Sequence, residues 1–370
     1  MTNDKSDTNA PRPEDELARL LVEQKLATSE EIETCLQQAA TPGGGAFEDV
    51  MIGRGVLTPN QLARAKVTLE TSRGQQIPGY QIIAKLGSGA MATVFKARQL
   101  SLDRMVAIKV LPRKLSESSD YVERFYREGK AAAKLNHANI VQAIDVGEAG
   151  GFHYFVMEYV EGHTLYDELQ ANKGFGEPEA MRVVLQIARA LEHAHSQGFI
   201  HRDVKPKNIM IAIDGTAKLA DMGLARAAED VQAAQAEAGK AFGTPYYISP
   251  EQIRGEVDID FRADIYSLGA TLYHVVTGRV PFDAPTPAGV MHRHLKDPLV
   301  PPDHINTELS AGLGEIVEVM MAKEPRRRYA STSDLIVDLE AVASGQPPLQ
   351  AHKQLDTSVL TMLEGGAVDE

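Results

Sequence analysis

The sequence predicts an α+β protein in which a small all-α segment precedes a β-rich lobe and then a mainly helical lobe. Three observations lead there. A repeat with helical signals, at an offset of thirty residues, fills much of the first seventy positions. Short runs rich in β-branched and aromatic residues follow, YQIIAKL, ATVFKARQ, MVAIKVL and later YFVMEYV, with one helical stretch near 118–135 among them. From Glu177 the apolar residues Met181, Val184, Leu185, Ala188 and Leu191 recur at helical spacing, and most of the chain to 343 reads as helix and loop.

Taken in order, residues 1–14 are rich in Asp, Asn, Thr and Pro without an apolar period, the signature of a disordered arm. Over 15–72, LARLLVEQKLATSEEIETCLQQA from Leu17 superposes on EDVMIGRGVLTPNQLARAKVTL from Glu48, with Thr28 on Thr58 and Ile32 on Leu62. Each copy reads helix, turn, helix. The second helix of each opens on a capping box, Thr28 with Glu31 and Thr58 with Gln61, whose side chains satisfy free backbone N–H groups. Pro59 suits a first helical position. Joined by TPGGG at 41–45, the two pairs can bury their apolar faces together as a four-helix domain. Residues 73–79 form a linker, 80–343 a second domain, and 344–370 a polar tail that is expected to be mobile.

Composition narrows the function classes. The 370 residues are 43% hydrophobic, enough for buried cores, and no apolar run has the length of a membrane span. The start of the chain is polar and acidic, unlike a signal peptide, so a cytoplasmic protein is expected. One cysteine, Cys35, rules out an intramolecular disulfide and a multi-cysteine zinc site. A net charge of −13 opposes binding to nucleic acid.

The chemistry-bearing residues lie in the second domain. In LGSGAMATVF, Gly87 and Gly89 allow backbone to approach phosphates, and Val94 can cover a base; alone, such a turn is as often a plain hairpin, and Ala92 stands at the third glycine position. VAIK puts Lys109 on an apolar strand, where a cation can pair with phosphate oxygens if an acid fixes it, and Glu128 on the following helix is that acid. HRDVKPKN carries the strongest signal. Asp203 can take or orient a hydroxyl proton, Lys205 can reach a transferred phosphoryl group, and Asn208 offers an oxygen to a metal. Thirteen residues on, Asp221 in LADMGLAR is a hard ligand suited to magnesium. GTPYYISPE, DIYSLG and PRRRY follow.

With these motifs in this order, residues 80–343 resemble the protein kinase superfamily, and within it the eukaryotic-like Ser/Thr kinases of bacteria. The resemblance implies a bilobal kinase fold and transfer of the γ-phosphoryl group of ATP to Ser/Thr hydroxyls of protein substrates. It implies ATP held by Leu86, Gly87, Ser88, Gly89, Val94, Ala107, Lys109, Met157 as gatekeeper, and the backbone of Glu158 and Val160. Asn208 and Asp221 would hold Mg2+, with Mn2+ as the alternative ion. By the same transfer Glu251 and Arg328 look like a buried ion pair under the substrate platform, Asp264 like the acid that holds the catalytic loop, and Thr244 like the mark of the Ser/Thr subgroup. Met222 and Ser249 replace the usual phenylalanine and alanine, both small departures. The rival readings are a pseudokinase, against which Lys109, Glu128, Asp203, Asn208 and Asp221 are all intact, and a small-molecule kinase, against which GTPYYISPE and Arg328 argue.

Two regions depart from common family practice. Between Arg226 and Thr244 the segment AAEDVQAAQAEAGKAFG holds no Ser, Thr or Tyr, so Arg202 and Arg226 have no phosphorylated residue to grip there. Either Glu237, Glu229 or Asp230 supplies the negative charge, or the loop stays mobile. Lys207 and Thr164 stand where arginine-directed kinases often carry acids, so no strong selection of arginine upstream of the phosphosite is expected. The helical repeat is similar to the small domains that begin type II secretion and type IV pilus assembly ATPases, which implies a docking or regulatory module for a protein partner; a structural cap is the alternative.

Overall fold

The computed structural model describes residues 13–41, 43, 45–74, 77–88, 92–116, 119–172, 174–221, 226–227 and 245–352. The chain divides into two compact units, one of Met1–Ile82 with Gln99–Leu102 and Glu148–Phe152, the other of the remaining residues.

In the first unit lie α1 (Pro13–Glu23), α2 (Ser29–Ala39), α3 (Phe47–Gly53) and α4 (Pro59–Gly74). α1 packs on α4 and α2 on α3. Leu17, Leu21, Ile32, Cys35, Phe47, Val50, Met51, Leu57, Leu62 and Ala65 form its core, and each large side chain among them contributes about 1.5–3 kcal/mol of burial. The repeat extends to individual hydrogen bonds. Leu26 and Ala27 N–H both donate to the Leu21 carbonyl, as Val56 and Leu57 do to Met51, thirty positions on. At the matching turn position Lys25 has φ +56° and Gly55 +72°. Only the second copy fills this left-handed site with the residue that has no Cβ to strain. Glu31 accepts from Thr28 N–H and hydroxyl, each at 2.8 Å, and Gln61 from Thr58 at 2.8 and 2.9 Å, so both capping boxes are present.

The second unit begins with most of a five-stranded sheet. Its strands are β1 (Tyr80–Ser88), β2 (Thr93–Gln99), β3 (Arg104–Val110), β4 (Ala143–Ala149) and β5 (Phe152–Glu158), in the spatial order β1-β2-β3-β5-β4. α5 (Arg113–Ser116) and α6 (Ser119–Ala133) connect β3 to β4. Gly129 lets α6 approach the sheet, since a Cβ there would lie 3.3 Å from the Phe155 ring.

The helical lobe follows. β6 (Gly162–Thr164), α7 (Leu165–Asn172), α8 (Glu177–Ser196), β7 (Phe199–Ile200), β8 (Ile209–Ala212), β9 (Ala217–Leu219) and β10 (Arg226–Ala227) lead to α9 (Pro250–Ile253) and α10 (Arg262–Thr277). After them come α11 (Pro287–Lys296), α12 (Pro302–Ile305), α13 (Ala311–Met320) and α14 (Thr332–Ala343). α10 is buried nearly all round, from Ala263 to Val276, which makes it the central post of the lobe. α8 and α13 pack on it, and α14 packs on α8. Gly269 permits the close approach at α13, because a Cβ there would meet the Met320 Cβ at 2.7 Å.

The tail corrects an expectation. Up to His352 it is tied down. Asp338, fully buried on α14, accepts from Leu349, Gln350 and Ala351 N–H at 2.8–3.2 Å and from the Tyr329 hydroxyl at 3.0 Å. Ala351 is fully buried in the main core. The sequence shows only a polar, Pro-containing stretch here; the distant carboxylate that caps it is visible only in three dimensions. Among the described residues no helix is long and apolar enough to cross a membrane.

Candidate active site

β3 and β5 pair antiparallel with Ala107 opposite Met157 and Lys109 opposite Phe155. Alternation along a strand then puts Ala107, Lys109 and Met157 on one face, while Val106, Ile108 and Val110 face the other and are buried. Leu86, Gly87 and Ser88 end β1, exposed, with the Ser88 hydroxyl 3.2 Å from that of Thr93. Val94 is half-buried on β2 and Val160 is buried after β5. The Glu158 side chain takes no part in this face. It pairs with Lys218 at 2.9 Å and accepts from Gln142 N–H. Gly89 lies outside the described residues, as does the side chain of Glu128 on α6.

Lys109 Nζ donates to Asp221 Oδ1 at 2.5 Å. This described contact joins Lys109 to the metal-binding candidate; the acid that the sequence expects for it, Glu128, has its side chain outside the described residues. Desolvation works against ionisation of Asp221, although its side chain keeps 48% of its surface exposed, and Lys109, aided by His201 and Lys205, holds its carboxyl below the ordinary carboxylate range. Asp221 itself has φ +60°, a conformation that a short polar side chain tolerates better than most.

The catalytic-loop residues converge around Asp203. Lys205 Nζ reaches its two carboxylate oxygens at 2.8 and 2.6 Å. Asn208, in the 3-10 turn Pro206–Asn208, donates its Nδ2 to Asp203 Oδ2 and to the Asp203 carbonyl, both at 2.9 Å. That orientation leaves the Asn208 side-chain oxygen as an acceptor. Ala220 N–H donates to the Asn208 carbonyl at 2.8 Å, which sets the metal-binding candidates Asn208 and Asp221 on adjoining backbone. Among the described residues no cluster of three or more His, Cys, Asp or Glu can hold a metal ion. An amide oxygen and one carboxylate instead fit a hard cation that keeps waters and phosphate oxygens in its shell, the habit of Mg2+.

A second layer fixes this loop. Asp264, fully buried on α10, accepts from His201 N–H at 2.8 Å, Arg202 N–H at 2.6 Å and His195 Nε2 at 2.8 Å. Burial alone would raise its pKa, but the His195 bond and charge outweigh it and keep Asp264 below the ordinary range. Arg328 and Glu251 form a bidentate ion pair at 2.6 and 2.8 Å with both side chains out of water. Lys207 lies exposed with Nζ 4.5 Å from the Tyr166 ring centre, and Thr164 caps α7, its hydroxyl accepting from Asp167 N–H at 3.1 Å while its own N–H and hydroxyl donate to the Asp167 carboxylate. Thr244, Met222, Glu229, Asp230 and Glu237, with the side chain of Arg226, lie outside the described residues.

Two residues with no role in the sequence reading stand out. His201 Nδ1 accepts from Asp203 N–H at 3.2 Å, so its other nitrogen carries the proton and donates to the Ala220 carbonyl at 3.2 Å. One ring thereby links the backbone of both aspartates. Gln252 touches the loop from α9, donating to the Arg202 carbonyl at 2.9 Å. Its signal was the capping-box spacing from Ser249 to Gln252.

Comparison with known proteins agrees with this geometry. Residues 80–337 match the family model described as protein kinase domain. The serine/threonine-protein kinase PknB of Mycobacterium tuberculosis is 40% identical over 292 residues, covering 78% of this chain and 46% of that protein. PknB of Mycobacterium leprae is 39% identical over 292 residues, 78% of this chain and 47% of its own. A Clostridium acetobutylicum protein named as a probable serine/threonine-protein kinase is 38% identical over 263 residues, 71% of this chain and 40% of that one. The chain thus spans less than half the length of these relatives. With a family model over most of its length, the chain belongs to the protein kinase domain family.

Proposed function

We propose that the chain is an ATP-dependent protein serine/threonine kinase. The observation that carries this reading is the meeting of two acid–base pairs, Asp203 with Lys205 and Asp221 with Lys109, on backbone joined by the Ala220 to Asn208 hydrogen bond. A family resemblance alone would fit a scaffold without chemistry. This arrangement offers the acidic and basic side chains that phosphoryl transfer asks of the protein.

In the reaction the substrate hydroxyl oxygen bonds to the γ-phosphorus while the bond between that phosphorus and its bridging oxygen breaks, releasing ADP. Asp203 orients the hydroxyl and receives its proton. Lys205, now on the Asp203 carboxylate, has the reach to follow the phosphoryl oxygens as their charge shifts. Lys109 turns from Asp221 toward the nucleotide phosphates, with Ala107, Val94 and Val160 offering an apolar bed for the adenine. A divalent cation held by Asn208 and Asp221, Mg2+ before Mn2+, would neutralise charge on the phosphates. Nucleotide supply places the reaction in the cytoplasm. The Ser/Thr assignment rests on Lys205 and on relatives that are named as serine/threonine-protein kinases. The helices α1–α4 are read as a docking module for a protein partner.

Asp203→Asn tests the reading. Transfer from ATP to Ser or Thr of a generic basic protein is expected to fall at least 100-fold, with nucleotide binding kept. Wild-type protein that binds ATP but transfers no phosphate would leave the pseudokinase reading in its place.

A further inference from the structure

Arg202, the residue before Asp203, has φ +67°, a left-handed conformation that strains a side chain of its size. Such a conformation persists only where the surroundings over-determine it. Its N–H is held by the buried Asp264. Its carbonyl, which belongs to the peptide plane shared with Asp203, accepts from Gln252 Nε2 at 2.9 Å, and the N–H on the other edge of that plane donates to His201. The peptide that enters Asp203 is therefore gripped on both edges by side chains, and one of the two comes from a different part of the chain.

The Gln252 amide can point only one way. Its oxygen accepts from Ser249 N–H at 3.2 Å and from the Ser249 hydroxyl at 2.9 Å, so its nitrogen must face Arg202. The neighbouring residue, Glu251, is locked by Arg328 in the core. Consecutive residues of one short helix thus hold the lobe interior on one side and the backbone of Asp203 on the other.

We propose that Gln252 is a positioning residue for phosphoryl transfer: it fixes the peptide plane before Asp203, and through it the angle at which that carboxylate meets the substrate hydroxyl. The proposal rests on the kinase reading above. Gln252 touches neither substrate nor nucleotide.

Two substitutions separate the clamp from the helix cap. Gln252→Glu keeps oxygen acceptors for Ser249 but has no donor for the Arg202 carbonyl. Gln252→Lys keeps a donor and loses the acceptor. Steady-state kinetics on the full chain, with thermal unfolding beside them, should show Gln252→Glu reducing kcat about tenfold or more at unchanged KM for ATP and unchanged melting temperature. Gln252→Lys should lose less kcat than Gln252→Glu, and Ser249→Ala, which removes only the hydroxyl bond of the cap, less than twofold. The reverse order, with Gln252→Glu as active as wild type or more active than Gln252→Lys, overturns the proposal. So does a kcat loss that only tracks unfolding, or failure of both Gln252 variants to fold, since either assigns Gln252 a structural role. Absence of transfer by the wild type would instead remove the kinase reading itself.

Discussion

Arg328 gathers more bonds than any one role requires. Besides the two to Glu251, it donates to the carbonyls of Ala322 and Arg262, both at 2.8 Å, and its guanidinium lies 4.8 Å from the Tyr266 ring centre. A guanidinium so enclosed is tolerable because its N–H groups meet carboxylate and carbonyl oxygens and the Tyr266 ring lies beside it. Removing it strands Glu251 as a buried charge. Arg328→Leu is expected to cost about 3–5 kcal/mol by urea unfolding. Pairing it with Glu251→Leu should cost clearly less than the sum of the single changes, because the second change removes the stranded charge. Strict additivity would mean that the two residues do not act as a pair.

At the scale of elements, the seam between α10 and α11 carries a titrating group. His294 is fully buried, its Nδ1 2.8 Å from the Tyr266 hydroxyl and its ring edge-on to Phe282 at 4.9 Å. Lys323 closes the end of α11, donating to the His294 carbonyl at 2.8 Å and to that of Arg293 at 3.3 Å, a favourable place for a cation. Burial, with the Lys323 charge second, pushes the His294 pKa down to about 3. Unfolded, the imidazole takes a proton below about 6.5, so the unfolded state binds more protons between there and 3. Stability from this site is therefore present at neutral pH and is lost as pH falls through 6.5. Between pH 7 and 5 wild type should lose about 2 kcal/mol more than His294→Asn, which keeps an acceptor for Tyr266. Equal acid limbs for the two proteins would refute it. Composition alone gives eleven histidines of equal standing; only the packing of two helices singles out this one.

For the molecule as a whole, each of the two units has its own apolar core. The first is expected to serve recognition and the second chemistry. A chain lacking residues 1–72 should still phosphorylate a generic protein substrate within about threefold of the full chain while losing capture of the partner. Loss of catalysis on truncation would favour the structural cap. Local sequence was enough for much of this architecture. Alternation of two marks strands, a spacing of three to four marks helices, and Thr28 with Glu31 or Thr58 with Gln61 announces a helix start, because such signals act over a few residues. Asp203, Lys205, Asn208 and Asp221 were legible for a related reason: all lie within nineteen positions in motifs of fixed spacing. What the chain did not disclose are contacts between distant residues that no spacing encodes. Lys109 meets Asp221 across 112 positions, Asp338 pins the tail from inside α14, and Gln252 reaches back fifty positions to the carbonyl before Asp203. Sequence by itself determined the chemistry available at the site, since that depends on residue type and local order. Tertiary structure decided which partner each charge finds and how the catalytic peptide is held, because hydrogen bonds and ion pairs depend on distances of a few ångströms that only the packed chain sets.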